Sequence, residues 1–220
     1  MGKAMILAAG RGERMRPLTD VTPKPLLEVR GKPLIVYHIE RLAAAGFTEI
    51  VINLAHLGYR IPEALGDGSE WGVKLLYSDE QDEGALESAG GIVKALPLLG
   101  NKPFLVVNAD VWTDYPFDPG FEFGDALAHL VLVPNPEHNP GGDFGIDGNR
   151  AVSEGRTKYT FSGIGYYSPE FFEGLAYGKR ALGPLLREKM AEGSVTAELY
   201  EGVWRDIGTP ERLREIDQAR

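Results

Sequence analysis

Apolar residues are spaced along the chain in two alternating patterns that predict a succession of strands and helices. Short, continuously apolar runs predict buried strands over 4–9, 48–54, 72–78, 103–110 and 127–133. Apolar positions at helical spacing predict helices over 32–46 and 88–99, with Pro33 at the first helical position and Gly46 as the C-terminal stop. Continuously apolar strands that alternate with helices are typical of a parallel sheet covered on both faces, so we expect an α/β fold.

The pattern changes after residue 133. Residues 134–150 are rich in Pro, Gly and Asn, which predicts a long loop that can include a hairpin. Residues 159–167 and 194–208 predict strands of a mixed or antiparallel part, and residues 209–220 predict a closing helix with Thr209 as its N-cap. No stretch resembles an interdomain linker. We therefore expect a single domain over 1–220, with a core over 1–133 and a second part over 134–208.

Composition excludes several classes of protein. A net charge of −9 argues against a general nucleic-acid binder, and the absence of cysteine excludes disulfides and thiolate metal sites. No apolar run approaches the roughly 18 residues of a membrane-spanning helix, so we expect no membrane partner. The N-terminal stretch MGKAMILAAG favours a buried strand over a signal peptide, so we expect a cytoplasmic protein.

One basic stretch stands out in this acidic chain. Gly10 and Gly12 follow the first predicted strand, where glycine lets backbone N–H groups approach an anion. The dinucleotide fingerprint would need glycine where the chain has Met15, and the P-loop pattern is absent. Arg14 offers a planar fork to two phosphate oxygens, and two prolines bracket Lys24 and stiffen the backbone that aims it. The stretch predicts a polyphosphate site, with a solvated basic loop as the alternative.

Two aspartates are candidates for a metal site. Asp110 ends the predicted strand over 103–110, on the edge of an open α/β sheet where ligands bind. Asp206 lies where a later strand turns into the closing helix. Two carboxylates beside a nucleoside triphosphate predict a Mg²⁺ site, and the alternative is that both only cap turns. Asp114 is a weaker candidate, and the four histidines have no metal-ligand spacing.

Taken together, these segments resemble the sugar-1-phosphate nucleotidyltransferases over nearly the whole chain. The resemblance rests on LAAGRGERMRPLT, TPKPL, LESAGGIVKAL, VNADV, FSGIGYY and WRDIGTPERL, and the first two in tandem are highly specific. Among these enzymes, the short length and the segments FLVVNADVWTDYPF and GGDF are most similar to N-acetylmuramate α-1-phosphate uridylyltransferases. The resemblance implies a three-layer Rossmann-like fold with a mixed, mostly parallel central sheet, in which 1–133 binds the nucleotide and 134–208 the sugar.

The resemblance also implies a role for each matching position. It implies catalytic roles for Arg14, Lys24 and Asp110. It implies nucleotide contacts from Ala8, Ala9, Gly10, Gly12, Arg14, Ser88, Ala89 and Gly90. It implies sugar contacts from Asn108, Asp143, Ser162 and Gly163. It implies that Mg²⁺ is held by Asp110 and Asp206. The partners would be UTP and a sugar 1-phosphate, bound by a monomer or homodimer.

Departures from the family pattern leave the substrates open. Many relatives carry glycine and threonine where this chain has Glu87 and Ser88, and Ala109 replaces a usual glycine. A second lysine of longer relatives has no match. The alternatives are thymidylyl, cytidylyl or guanylyl transfer to glucose, mannose or a phospho-alcohol, a non-catalytic sugar-nucleotide sensor, or a simple nucleotide-binding module. A muramate substrate predicts a cation for its lactyl carboxylate, and the candidates are Arg156, Lys158 and Arg205.

Overall fold

A computed structural model describes residues 2–219 and contains thirteen strands and five α-helices. The strands are β1 (Lys3–Leu7), β2 (Glu28–Val29), β3 (Lys32–Pro33), β4 (Glu49–Leu54), β5 (Lys74–Asp79), β6 (Phe104–Asn108), β7 (Val111–Thr113), β8 (Ala128–Val133), β9 (Gly145–Asp147), β10 (Arg150–Val152), β11 (Thr160–Tyr167), β12 (Val195–Leu199) and β13 (Trp204–Asp206). The helices are α1 (Leu34–Ala45), α2 (Arg60–Leu65), α3 (Glu87–Leu99), α4 (Leu182–Ala191) and α5 (Pro210–Gln218).

Nine strands form one sheet in the order β5-β4-β1-β6-β11-β8-β12-β10-β9. The first four are mutually parallel. Only β11 and β10 run against the direction shared by the other seven strands of this sheet. The expected mixed, mostly parallel sheet is therefore confirmed. Strand β8 comes from the first predicted part of the chain but lies between two strands of the second, so one sheet spans both parts.

Helices cover both faces of the sheet because its strands are apolar on both sides. Ile6 of β1 belongs to the core cluster that contains Ile39 of α1 and Ile61 of α2. The neighbouring Met5 belongs to the opposite cluster, with Ile92 of α3 and residues of α4. Successive residues of a strand point to opposite faces, so this alternation produces the three layers.

Most predicted elements are present, with shifted ends. Strand β1 ends at Leu7 and β6 at Asn108, so residues 8–12 and 109–110 leave the sheet as loops at its carboxyl edge. Pro33 is the N-cap of α1 and lies one position before the predicted place, and Gly46 caps the helix with a φ of +101°. Thr209 caps α5 as predicted, because its hydroxyl accepts from Arg212 N at 3.4 Å.

Other elements differ from the sequence analysis. Helices α2 and α4 had no counterpart among the predictions, although the buried leucines of α4 recur at helical spacing. In contrast, the hairpin that the sequence analysis allowed for within the loop over 134–150 is confirmed, because β9 and the start of β10 pair there. Residues 194–208 form two strands with separate partners: β12 joins the main sheet, whereas β13 pairs with β7 in a ribbon of its own. Across residues 2–219, no helix combines the length and apolar character needed to cross a membrane.

Candidate active site

A cleft of about 540 Å³ opens at the carboxyl ends of β1 and β6. Parallel strands bring the residues that follow them to one edge of a sheet, which is where ligands bind in open α/β folds. Nine of the residues proposed from the sequence line this cleft. They are Ala8, Ala9, Gly10, Gly12, Arg14, Lys24, Ser88, Asn108 and Asp110.

The glycine-rich loop over 10–12 is held by hydrogen bonds from the residues that follow it and by a buried methionine. Gly12 has a φ of +64°, and a Cβ there would lie 2.9 Å from Thr19 Cγ2 and 3.3 Å from Lys24 Cβ. Thr19 Oγ1 donates to Gly12 O at 2.8 Å, and Met15 N donates to the same oxygen at 2.9 Å. Met15 is fully buried in a small cluster with Ile207 and residues of α5. Methionine at this position therefore holds the loop on the core, where the dinucleotide fingerprint would have a glycine.

Lys24 and Asp110 meet across 86 residues of sequence. Lys24 Nζ lies 2.7 Å from Asp110 Oδ2, with 12% of the lysine side chain and 31% of the aspartate side chain exposed. The prolines on both sides of Lys24 are buried. The buried prolines thus fix the backbone that places the ammonium in the cleft beside the carboxylate.

Asp206 reaches the same region through the β7–β13 ribbon. Asp206 is opposite Val111 in that ribbon, and Ile207 N donates to Asp110 O at 2.7 Å. The Asp206 carboxylate is held by Arg212 Nη1, at 2.8 and 2.7 Å from its two oxygens, and by His138 Nε2 at 2.9 Å from Oδ1. Arg212 and His138 were not identified from the sequence, since nothing in their spacing links them to Asp206.

Gly208 marks the point where these charges converge. A Cβ at Gly208 would lie 2.9 Å from Asp206 Oδ2, 2.9 Å from Arg212 Nη1 and 3.3 Å from Arg14 Nη2. Gly208 also lines the cleft that contains Lys24 and Asp110. The structure therefore places Arg14, Lys24 and Asp110 in the cleft wall and Asp206 next to Gly208, although Asp206 itself lines a neighbouring pocket with His138 and Arg212.

The two aspartates fit a metal that takes few ligands from the protein. Within residues 2–219, no group of three or more His, Cys, Asp or Glu side chains is placed to hold a metal ion. Mg²⁺ commonly binds through one or two carboxylates, with waters and phosphate oxygens completing its shell. Asp110 and Asp206 match that donor set, whereas a zinc site would need more nitrogen or sulfur ligands.

Ala89 and Gly90 lie on α3, behind the cleft wall. Ala89 is fully buried in the core under the sheet. Gly90 packs against the backbone of Gly178, and its N–H donates to Arg180 O at 3.1 Å. The structure thus gives both residues a packing role in the helix that carries Ser88 to the cleft.

The proposed sugar-side residues surround an irregularity in β11. Its pairing with β8 shifts between Phe161 and Ile164, which leaves Ser162 and Gly163 outside the regular ladder. Ser162 Oγ donates to Val131 O at 2.6 Å, and the Asp143 carboxylate accepts from Phe161 N at 2.8 Å. Ser162 and Asp143 therefore brace the strand by hydrogen bonds.

Gly163 packs against Asn108, a residue that lines the cleft. Its φ is +78°, and a Cβ there would lie 2.6 Å from Asn108 Nδ2. Because Asn108 lines the cleft, Gly163 leaves the space that this amide occupies. Of the sugar-side set, Asn108 reaches the cleft wall itself and Gly163 supports it from behind.

The candidate cations for a muramate carboxylate are dispersed. Lys158 pairs with Glu154 at 2.7 Å, and Arg205 lies 4.0 Å from Glu215. Arg156 is exposed. None of these three cations lines the 540 Å³ cleft.

Arg11 is a cleft residue that the sequence analysis did not select. It lines both the cleft and a neighbouring pocket of about 520 Å³. Among residues 2–219 it has no acidic partner within 4.0 Å, whereas Arg16 pairs with Asp20 at 2.7 Å. Its position between Gly10 and Gly12 is the feature of the sequence that could have identified it.

Known proteins share both the sequence and the fold of this chain. A profile of the family described as nucleotidyl transferase matches residues 3–220. N-acetylmuramate alpha-1-phosphate uridylyltransferase of Neisseria meningitidis serogroup B is 56% identical over 222 aligned positions, which cover 97% of this chain and 96% of that protein. The enzyme of the same description from Caulobacter vibrioides is 35% identical, covering 94% and 92%. A Bacillus anthracis structure in complex with sucrose, assigned as a glucose-1-phosphate thymidylyltransferase, matches with a TM-score of 0.85 at 25% identity, covering 99% of this chain and 94% of that one.

Proposed function

The chain belongs to the nucleotidyl transferase family, and from that premise we propose that it transfers a uridylyl group from UTP to N-acetylmuramic acid 1-phosphate. The choice of substrates is supported by the 56% identity to the Neisseria uridylyltransferase, which extends over 97% of this chain. The observation that carries the chemistry is that Arg14, Lys24 and Asp110 line one cleft, with Asp206 next to Gly208 in its wall. We place the reaction in the cytoplasm, where nucleoside triphosphate is available.

The proposed step needs charge neutralisation more than proton transfer. An oxygen of the sugar phosphate attacks the α-phosphorus of UTP, and the bond from that phosphorus to pyrophosphate breaks. Because the second pKa of a phosphate monoester is about 6, the nucleophile is already a dianion at neutral pH and needs no general base. The remaining obstacle is repulsion between the two anions, which aligned cations reduce.

Residues of this chain would share that task. Arg14 would hold the triphosphate through paired N–H groups. Lys24 would leave Asp110 and contact the α-phosphate and the sugar phosphate, a short movement because its flexible ammonium already lies in the cleft. Asp110 and Asp206 would hold Mg²⁺, which when bound neutralises phosphate charge.

Arg11 extends this set of cations. Most of the charge of a triphosphate lies on the two phosphates that leave as pyrophosphate. A guanidinium that lines the cleft and has no acidic partner among the described residues suits them. We therefore add Arg11 to the proposed triphosphate contacts, with Arg16 as a natural comparison because it lies on the same loop and is paired with Asp20.

A sensor that binds sugar nucleotides without reaction is the alternative of a different class. Such a protein needs no Lys24–Asp110 pair and no second carboxylate beside it, and this chain has kept both. Transfer of another base to another sugar phosphate remains the alternative within the family, because only a few contacts choose the base.

A matrix of five nucleoside triphosphates against several sugar 1-phosphates tests the proposal through pyrophosphate release. We expect release to be fastest with UTP and N-acetylmuramic acid 1-phosphate, in the presence of Mg²⁺. Fastest release with another pair would reject these substrates and keep the reaction class. Nucleotide binding without release from any pair would favour the sensor.

A further inference from the structure

Glu80 is a buried acid that the proposed reaction does not use. The residue has no exposed surface, and burial raises the pKa of its carboxyl above the ordinary range. Its two oxygens each accept a hydrogen bond: Oε1 from Asn53 Nδ2 and Oε2 from Leu86 N, both at 2.9 Å. An acid in such a position is costly unless its hydrogen bonds are kept, so the two donors and Glu80 constrain one another.

Asn53 extends this contact to the opposite wall of the cleft. Its Oδ1 accepts from Ala8 N at 2.7 Å, and the residue is 2% exposed. Ala8 lies in the loop after β1, and Asn53 itself reaches the cleft surface at the end of β4. A continuous chain of hydrogen bonds therefore runs from Ala8 N through Asn53 and Glu80 to Leu86 N.

The other end of the chain fixes the start of α3. Leu86 is the N-cap residue of α3, and Glu87 and Ser88 after it line the cleft. Gly91 closes the arrangement, since a Cβ there would lie 2.6 Å from Glu80 Oε1 and 2.9 Å from Asn53 Nδ2. The Glu80 carboxylate is thus held in one position by its two donors and by the space at Gly91, and its hydrogen bond to Leu86 N sets the position of that backbone amide.

We propose that Asn53 and Glu80 are positioning residues that fix the distance between the two backbone segments flanking the nucleotide, at Ala8 and at Leu86–Ser88. The identity of that ligand rests on the proposed function, whereas the hydrogen-bonded chain is a property of the fold. Neither side chain needs to touch the reacting phosphates. Their effect would fall on nucleotide binding, and the sugar phosphate would be affected little.

Glu80→Gln is the sharpest variant because it keeps the size of the side chain. A carboxylate accepts from two donors, whereas a glutamine has one acceptor oxygen and an NH₂ group that would face either Asn53 Nδ2 or Leu86 N. One buried donor is left without its acceptor. Asp82→Asn makes the same acid-to-amide change at an exposed position of the same loop and serves as the control.

We expect Glu80→Gln to raise the KM for UTP by about tenfold, with the KM for the sugar phosphate and kcat at saturating UTP changed less than about threefold. Hydrogen exchange of the Ala8 and Leu86 amides should accelerate, and Asp82→Asn should match the wild type. An equal rise in both KM values, or a lower melting temperature with an unchanged KM for UTP, would overturn the positioning role.

Gly91→Ala keeps the test decisive if Glu80→Gln does not fold. Alanine is favoured in a helix, so loss of nucleotide binding there would come from displacement of the Glu80 carboxylate. We expect the same selective rise in the KM for UTP, and an unchanged value would reject the proposal. If the wild type releases pyrophosphate from no substrate pair, the proposed function fails, and exchange of the Ala8 and Leu86 amides in the variants then decides the positioning role by itself.

Discussion

Lys24 and Asp110 are the residues on which the proposed reaction depends most directly. We expect Lys24→Ala and Asp110→Ala each to lower turnover by at least about a hundredfold, because removing a charge aligned with the reacting phosphates removes transition-state stabilisation. Lys32 is a matched control, since it pairs with Glu40 at 2.7 Å and does not line the cleft. Circular dichroism should show an unchanged fold. Near-normal turnover of either variant would show that its residue has been given the wrong role.

Gly208 has a role that follows from the small space left around its Cα by neighbouring side chains. Its φ is outside the left-handed region, so alanine would not strain the backbone there. The added methyl group would lie 2.9 Å from both Asp206 Oδ2 and Arg212 Nη1, so both side chains would have to move away from it. We expect Gly208→Ala to lower turnover by about tenfold or more, because displacement of catalytic groups by about 1 Å has effects of this size.

Gly183→Ala is the comparison for Gly208→Ala. Gly183 lies in α4 with no atom within 4 Å of the added Cβ, so its replacement should leave turnover unchanged. Equal kinetics for Gly208→Ala, Gly183→Ala and the wild type would show that the cluster around Gly208 has no part in the reaction.

At the scale of the elements, the start of α3 carries a backbone conformation that its residue does not favour. Glu87 has a φ of +62°, in the left-handed region where a side chain costs roughly 1 kcal/mol and glycine is free of this cost. A glycine at this position, which the family pattern implies, would avoid this cost. The exposed Glu87–Lys179 pair, at 3.6 Å, offers little compensation.

Glu87→Gly should therefore raise the melting temperature, by about 2 °C or more. The same exchange at the exposed Glu188 within α4 should lower it, because glycine in a right-handed helix costs about 1 kcal/mol. Thermal unfolding monitored by circular dichroism measures both. A lower melting temperature for Glu87→Gly would mean that contacts of the Glu87 side chain outweigh its backbone strain.

Helix α5 contacts both the glycine-rich loop that carries Arg14 and the segment that carries Asp206. Its Leu213 and Ile216 pack in one cluster with Met15 of the glycine-rich loop and with Ile207, which follows Asp206. Its Arg212 holds the Asp206 carboxylate. The closing helix thus fixes the position of Asp206 relative to the loop that carries Arg14.

At the scale of the whole molecule, His38 links stability to pH. It is 4% exposed, and among residues 2–219 its Nδ1 has no hydrogen-bond partner. Burial, followed by the nearby Arg41 charge, lowers its pKa from 6.5 to about 4. Between these values the unfolded chain binds a proton that the native protein does not. The contribution of neutral His38 is complete above about pH 6.5 and is lost as the pH falls toward about 4.

We expect this effect to reach about 3 kcal/mol at the acid end. Urea unfolding at about pH 7 and about pH 5 should show a smaller loss of stability for His38→Gln than for the wild type, because glutamine does not titrate. Parallel pH profiles for the two proteins would contradict the assignment.

The sequence by itself determined the features that neighbouring residues encode. Continuous apolar strands alternating with helices predicted a parallel sheet covered on both faces, which the structure confirms except for the antiparallel strands β10 and β11. The glycines and prolines around Arg14 and Lys24 predicted a phosphate loop, and its ligand stays a prediction. These signals are local, because backbone conformation and the burial of a single element depend on residues close in the chain. Two helices were not predicted. The local signal of α2 was too weak because the helix is short and contains Pro62, and α4 was missed because it follows a long irregular segment.

Only the tertiary structure decided which side chains meet. Lys24 and Asp110 are 86 residues apart, and Asn53 and Glu80 are 27 apart. Asn53 and Glu80 meet because the neighbouring parallel strands β4 and β5 carry them to the same edge of the sheet. Lys24 lies in the long loop after β1, and the folding of that loop brings it to Asp110, which follows β6. The partners of Asp206 come from α5 and from the loop over 134–150. The unpaired state of Arg11 among the described residues and the buried position of Glu80 likewise depend on packing between distant segments. Packing sets the distances between charges, and a linear pattern of residues contains no such distances.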